Sequence, residues 1–345
     1  METTLAELGW SGYFQQQLSL DEYEALTPVR VLEQHREHLT VAGEAIERDI
    51  PVLHSMPAVT VGDWLLLDKD SGFSRLLDRK SQFSRKAAGS KVQEQLIAAN
   101  IDTAFLVCSL NQDFNLSRIE RYLALIHEAG AEPVIVLTKA DLVDDAESLA
   151  AKVRALDSRL MVEVVNGTDE QSVEPLKAWC RAGSTIVFLG SSGVGKSTLA
   201  NTLIGRQSLD TGGIRSDDGK GRHTTTARSL HTLPAGGLLL DTPGMRELQL
   251  ADVESGLEKT FADIQQLAEH CRFSDCEHQS EPGCAVLVAL DAGDIDERRL
   301  NNYRKLLREQ AMNSASLAQK RSRDKELGKF YRSVQGESRQ RKKGH

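Results

Sequence analysis

Three short motifs, and the order in which they occur, constrain this chain most. Thr138-Lys139-Ala140-Asp141 comes first, Gly190-Ser191-Ser192-Gly193-Val194-Gly195-Lys196-Ser197 follows, and Asp241-Thr242-Pro243-Gly244 comes last. Each directly follows an apolar run: Pro133-Val134-Ile135-Val136-Leu137, Thr185-Ile186-Val187-Phe188-Leu189 and Leu238-Leu239-Leu240. Short apolar runs that alternate with amphipathic stretches predict buried parallel strands joined by helices. Ligands of such sheets bind at the carboxyl ends of the strands. One edge of the sheet is therefore expected to collect all three motifs.

The middle motif is a phosphate-binding loop between a strand and a helix. Gly190, Gly193 and Gly195 let backbone N–H groups turn inward around phosphate oxygens, with Ser191, Ser192 and Val194 between them. The helix opening at Lys196-Ser197-Thr198 adds its partial positive charge. Lys196 is expected to reach the β- and γ-phosphates and Ser197 to hold Mg2+. Asp241 is expected to reach the same Mg2+ through water, and the Gly244 N–H to sense the γ-phosphate.

Asp141 is expected to accept two hydrogen bonds from the N1–H and N2–H2 edge of guanine. Adenine cannot supply that pair, which argues against an ATP-using kinase. Lys139 would pack its stem on the base. Thr138 stands where most GTPases carry Asn, and Val165-Asn166-Gly167 stands where a Ser-Ala loop usually completes the base pocket. In Ras-like GTPases the phosphate loop leads and the base reader comes near the end. Here the same parts are cut and rejoined, a circular permutation.

Between the phosphate loop and Asp241 lies Gly219-Lys220-Gly221-Arg222-His223-Thr224-Thr225-Thr226, a basic, Thr-rich segment that reads as a mobile loop over the phosphates. Thr225 is the candidate to complete the Mg2+ shell. Met245 occupies the position where Ras-type enzymes use Gln to orient the attacking water. The nearest substitute is His223, taken here with Lys196 as the catalytic pair. The alternative is a switch-loop histidine that contacts RNA or nothing.

Five cysteines are present, and Cys271, Cys276 and Cys284 join His278 in a Cys-x4-Cys-x-His-x5-Cys knot. Three thiolates and one imidazole suit one closed, tetrahedral, structural Zn2+ rather than a disulfide framework. Cys108 and Cys180 read as plain thiols.

Residues 1–28 read as a helical or loose leader. Residues 29–92 carry several short β-branched runs at close spacing, which predicts a small OB-like barrel, a fold that often binds oligonucleotides. Arg79, Lys80, Arg85, Lys86 and Lys91 flank Phe83 there. That mixture suits phosphate contact and base stacking, or a solvated loop. The formal net charge is −8, yet Lys320 to Lys343 holds ten basic residues against three acidic ones. A basic tail on an acidic body fits an RNA contact, or a solvated tail. No apolar run approaches the length of a membrane span, and the N-terminus lacks signal-peptide features. A cytoplasmic monomer is expected.

Taken together, the motif order, the Gly221-Arg222-His223-Thr224-Thr225-Thr226 switch and the cysteine knot resemble the ribosome small-subunit-dependent GTPase A family (RsgA, also called YjeQ). Val61-Gly62-Asp63-Trp64 and Gln95-Leu96-Ile97-Ala98-Ala99-Asn100-Ile101-Asp102 resemble it as well. The resemblance implies a multidomain α/β protein: an N-terminal OB barrel (29–92), a circularly permuted P-loop GTPase domain (93–252), a helical zinc-binding domain (253–312) and a basic tail (313–345). It implies GTP hydrolysis in the late maturation of the 30S ribosomal subunit, with GTP and GDP bound, 16S rRNA held by the flanking domains, and hydrolysis stimulated by the subunit. A nucleotide-gated RNA-binding module, or a diverged paralogue with incidental turnover, remains the alternative.

Overall fold

Five strands form early in the chain: Thr27–Gln34 (β1), His38–Gly43 (β2), Ile46–Pro51 (β3), Trp64–Leu67 (β4) and Phe73–Leu76 (β5). They pair antiparallel in the order β3-β2-β1-β4-β5. Among these five strands β1 serves two neighbours, Thr27–Arg30 facing β4 and Arg30–Gln34 facing β2, with the register shifting between Val31 and Glu33. The structure is a computed structural model and describes residues 3–86, 94–205, 228–241 and 253–312.

Strand alternation buries both faces of β4. Leu65 and Leu67 join Val29, Val31, Val41 and Ile50 on one side. Trp64 and Leu66 join Leu8 and Phe14 on the other. The leader is therefore a lid on the strands, with Trp10 edge-on to Trp64 at 4.8 Å. Arg30 fastens it. This buried guanidinium donates to the carbonyls of Leu8 (2.6 Å), Asn100 (3.0 Å) and Gly62 (3.3 Å). Burial pulls its pKa down to about 10, although Asp102 and Asp63 oppose that shift. Gly62 has φ +91, and a Cβ there would lie 2.0 Å from the Ala99 carbonyl oxygen, so only glycine fits.

The basic segment after β5 turns inward. Arg79 grips the fully buried Asp63 through Nε (2.7 Å) and Nη2 (2.9 Å), and Lys80 pairs with Asp102 at 2.7 Å. Phe83 is 2% exposed and packs with Val61, Ile97 and Ile101. Among the described residues of this segment, then, the ring is unavailable for stacking and two cations are already neutralised. Register is the reason: on Gln82–Lys86 (β6) Phe83 takes an inward position. β6 pairs with Glu94–Ala99 (β7) as a two-stranded ribbon.

The later strands are Thr103–Ser109 (β8), Glu132–Thr138 (β9), Met161–Val164 (β10), Thr185–Leu189 (β11), Arg228–Thr232 (β12) and Leu238–Asp241 (β13). β10, β9, β8, β11 and β13 are mutually parallel, and β12 runs antiparallel to β13. Every residue of β11 is buried, as expected of a central strand covered on both faces. Alternation again divides the core: Leu106 faces Ile119, Leu123 and Ile126 of the helix Leu116–Ala129, while Phe105 and Val107 face Leu199 and Leu203 of the helix Lys196–Ile204. Asn115 caps the first of these helices and Gly130 ends it in the left-handed conformation.

After β10 the chain forms a short α-turn, Glu170–Val173, continued as a 3-10 helix, Glu174–Trp179; Pro175 has no N–H to extend an α-ladder. The antiparallel strands join the parallel ones. β1 pairs with β12 through Glu33↔Ser229 and Gln34↔Arg228, which makes one continuous sheet.

Contacts divide the chain into two compact units, 1–84 with 96–248, and 85–95 with 249–345. In the second unit, Glu254–Thr260, Ala262–Ala268, Ala285–Ala292 and residues 297–312 are helical. Arg299 ties the first two helices to the last, chelating Asp263 at 2.7 and 2.8 Å and donating to the Thr260 carbonyl at 2.9 Å. It lies over the Phe261 ring. The basic tail of residues 313–345 lies outside the described residues.

Candidate functional site

The sheet order β9-β8-β11-β13 sets the site. Chain direction reverses its lateral progress between β8 and β11, and the two neighbours end side by side. Such a switch point opens a crevice at the carboxyl edge. β11 runs straight into the phosphate loop, and the helix Lys196–Ile204 follows it. Gly190 has φ +133, and a Cβ there would lie 2.2 Å from the Val107 carbonyl oxygen of β8. Glycine thus lets the loop start against the neighbouring strand. The Lys196 amine bridges the loop, donating to the carbonyls of Gly190 (2.7 Å) and Ser191. Ser192 and Gly193 are exposed, Val194 is buried, and Gly195, Ser197 and Thr198 are half-buried at the mouth of the helix.

β9 delivers the Thr138-Lys139-Ala140-Asp141 motif to the same place. Thr138 is 2% exposed, and its hydroxyl donates to the Val194 carbonyl at 2.6 Å. Lys139 adopts the left-handed conformation and donates from Nζ to the Gly193 carbonyl at 3.0 Å. Asp141 is exposed at the start of the tight turn Ala140–Leu142. The Val165-Asn166-Gly167 loop follows β10 and reaches the phosphate-loop helix, where Thr202 donates to the Gly167 carbonyl at 2.7 Å. Asn166 spends its side chain on Thr168, accepting from its N–H at 3.1 Å and its hydroxyl at 2.8 Å. Asp241 ends β13, which lies parallel to β11. Gly244, the switch residues His223 and Thr225, and Met245 lie outside the described residues.

Two residues that sequence reasoning missed also meet the loop. Arg118 donates from Nη1 to the Ser191 hydroxyl at 3.3 Å, and burial raises the pKa of the nearby Tyr122 phenol against the opposing pull of Ser191. They lie four residues apart on one face of the helix Leu116–Ala129. Their spacing was visible in sequence, but not what they face. Cys108, at the end of β8, is a quiet thiol: burial pushes its pKa up to about 12, against the pull of Arg118 and Lys196.

In the second unit, Cys271, Cys276, His278 and Cys284 bring four donor atoms within 4.8 Å of one another. Cys271 and Cys284 Sγ are 3.8 Å apart, and His278 Nδ1 lies 3.6 and 3.4 Å from them. A tetrahedral ion with bonds of ~2.3 Å to sulfur needs thiolates about 3.8 Å apart, so the set is compatible with zinc. Burial lowers the His278 pKa, which favours the neutral imidazole a metal requires. His278 has φ 58, and Arg304 from the last helix holds its carbonyl. Glu281 closes the loop by accepting from the N–H groups of Glu277 (3.0 Å), Gln279 (2.7 Å) and Ser280 (2.9 Å).

Comparison with known proteins agrees with this geometry. The family model described as RsgA GTPase matches residues 76–251. The chain is 58% identical over 341 residues to the small ribosomal subunit biogenesis GTPase RsgA 2 of Vibrio parahaemolyticus, covering 99% of this chain and 95% of that one. It is 46% identical over 317 residues to the small ribosomal subunit biogenesis GTPase RsgA of Mesorhizobium japonicum, covering 90% and 91%. The crystal structure of YjeQ from Thermotoga maritima superimposes with a TM-score of 0.60 at 28% identity, covering 82% of this chain and 98% of that one. Strand order, motif order and relatives therefore agree, and the chain belongs to the RsgA family of circularly permuted GTPases.

Proposed function

We propose that this GTPase acts late in the assembly of the 30S ribosomal subunit, binding 16S rRNA and hydrolysing GTP when the subunit is present. The relatives named above are small-subunit biogenesis GTPases, and the chain spans nearly their full length. The observation that carries the reading is the bond from Thr138 to Val194, which joins the base reader to the phosphate loop at one sheet edge.

In this reading Asp141 selects guanine, with Lys139 against the base and Thr138 holding the pocket to the loop. The backbone from Gly190 to Thr198 cradles the phosphates and Lys196 neutralises them. Ser197, Thr225 and Asp241 hold Mg2+, and the Gly244 N–H reads the γ-phosphate. His223 orients the attacking water. Cys271, Cys276, His278 and Cys284 hold one structural Zn2+ that folds the loop around it. β1–β5 close as an OB barrel, which the double pairing of β1 supports. Boundaries near 29–92, 93–252 and 253–312 and a basic tail complete the plan. The protein works as a cytoplasmic monomer; no helix among the described residues is long and apolar enough to cross a membrane.

Steady-state GTP hydrolysis with and without purified 30S subunits, with 50S subunits as control, tests the proposal. Stimulation by 30S alone supports it. A flat response with GTP still bound points instead to a nucleotide-gated RNA-binding module. His223→Ala then tests the water-positioning role: stimulated turnover should fall while 30S binding is retained.

A further inference from the structure

We propose that Arg118 is a positioning residue of the nucleotide site. Through Ser191 it fixes the first turn of the phosphate loop, and its charge biases the site toward the triphosphate over the diphosphate. This rests on the reading of Gly190–Ser197 as the GTP phosphate loop.

The first observation is a relay of contacts. Arg118 Nη1 donates to the Ser191 hydroxyl at 3.3 Å. The Ser191 carbonyl in turn accepts from the Lys196 amine. Ser191 is thus held by its side chain from one helix and by its backbone from the phosphate-binding lysine. The helix Leu116–Ala129 is itself packed into the core by Ile119, Leu123 and Ile126, so Arg118 projects from a rigid base.

The second observation is where the charge sits. Arg118 is in the first turn of its helix, where no acidic residue accompanies it. A cation there opposes the helix dipole, so helix stability does not account for it. Among the described residues it makes no ion pair. Arg118 and Lys196 both bond to Ser191, which places their charges beside the same turn of the loop. Two cations beside one phosphate cradle favour the ligand that carries the extra negative charge. A guanidinium can hold Ser191 with one N–H and leave others directed elsewhere, whereas a lysine offers charge without that fork.

The test is equilibrium binding of a non-hydrolysable GTP analogue and of GDP to the full chain and to Arg118→Ala, Arg118→Lys and Ser191→Ala. The ratio of the two affinities is the readout, because partial unfolding lowers both equally and cancels. Arg118→Ala should weaken the GTP analogue about tenfold and GDP about threefold, so the ratio falls. Arg118→Lys should keep most of the ratio, and Ser191→Ala should weaken both ligands alike. A ratio that is unchanged or raised in Arg118→Ala overturns the proposal while leaving the GTP site intact. Failure of the unmodified chain to bind either nucleotide overturns both.

Discussion

The Thr138 hydroxyl donates to the Val194 carbonyl across 2.6 Å, joining residues 56 apart in sequence. This bond ties the Thr138-Lys139-Ala140-Asp141 motif directly to the Gly190–Ser197 loop. The threonine does with a hydroxyl what its position demands, which is to satisfy a buried carbonyl of the loop. Thr138→Val keeps the shape and removes the donor, stranding that carbonyl at a cost of about 1–3 kcal/mol. GTP affinity measured by titration should fall roughly tenfold, with Thr138→Ser close to the unmodified chain.

Asp141→Asn exchanges one acceptor oxygen for a donor. Guanine then loses a charge-assisted bond, worth about 1.5–3 kcal/mol, and meets a donor facing its own. GTP should bind about ten- to a hundredfold more weakly. Xanthosine triphosphate, whose 2-oxo group accepts that donor, should gain. Competition binding with both nucleotides checks the exchange, and a parallel loss of both would show that Asp141 does not face the base edge.

Arg79 and Lys80 adjoin in sequence but differ in burial. Asp63 is fully buried, and the Arg79 side chain is 17% exposed, whereas Lys80 is half-exposed. Arg79→Met leaves a buried carboxylate unpaired and should cost about 3–5 kcal/mol in urea unfolding. Lys80→Met should cost no more than about 1 kcal/mol. Equal losses would mean that the Asp63 pair is not the anchor of the segment.

Metal removal tests the second unit. Treatment with a strong chelator, or Cys276→Ser, should lower helical circular dichroism and bring early proteolysis within residues 271–284, because the loop has few apolar residues to hold it. Resistance of the chelated protein would show that the knot folds without an ion.

Glu281 supplies the pH-dependent part of that loop. Hydrogen bonds from backbone N–H groups, those of Glu281 itself and Ser280 first, lower its pKa from the ordinary 4.5 to about 2. The sign follows from linkage: the contribution is complete above 4.5 and is lost as the pH falls toward about 2. The amide resonances of Gln279 and Ser280, followed by NMR, should titrate well below 4.5. A midpoint at 4.5 would mean that the carboxylate does not cap the loop.

Several elements were legible because their causes are local. The helix Leu116–Ala129 has its apolar period and its Gly130 stop within one short stretch of chain. The glycines of the phosphate loop and the close spacing of Cys271, Cys276, His278 and Cys284 are equally short-range. The segment around Phe83 was not legible in that way. Its composition suits a nucleic-acid surface, and only the register of β6 and β7, with Asp63 waiting beneath, turns it inward.

The sequence by itself determined which chemistry this chain carries and in what order, because motif residues and strand or helix periodicity are written within a few positions. Tertiary structure alone decided the partnerships across distance. Arg118 meets Ser191 across 73 residues, Thr138 meets Val194 across 56, and β1 extends the nucleotide-binding sheet through β12. The physical reason is that sheet order and register select these neighbours, and both come from the packing of the whole unit rather than from any segment within it.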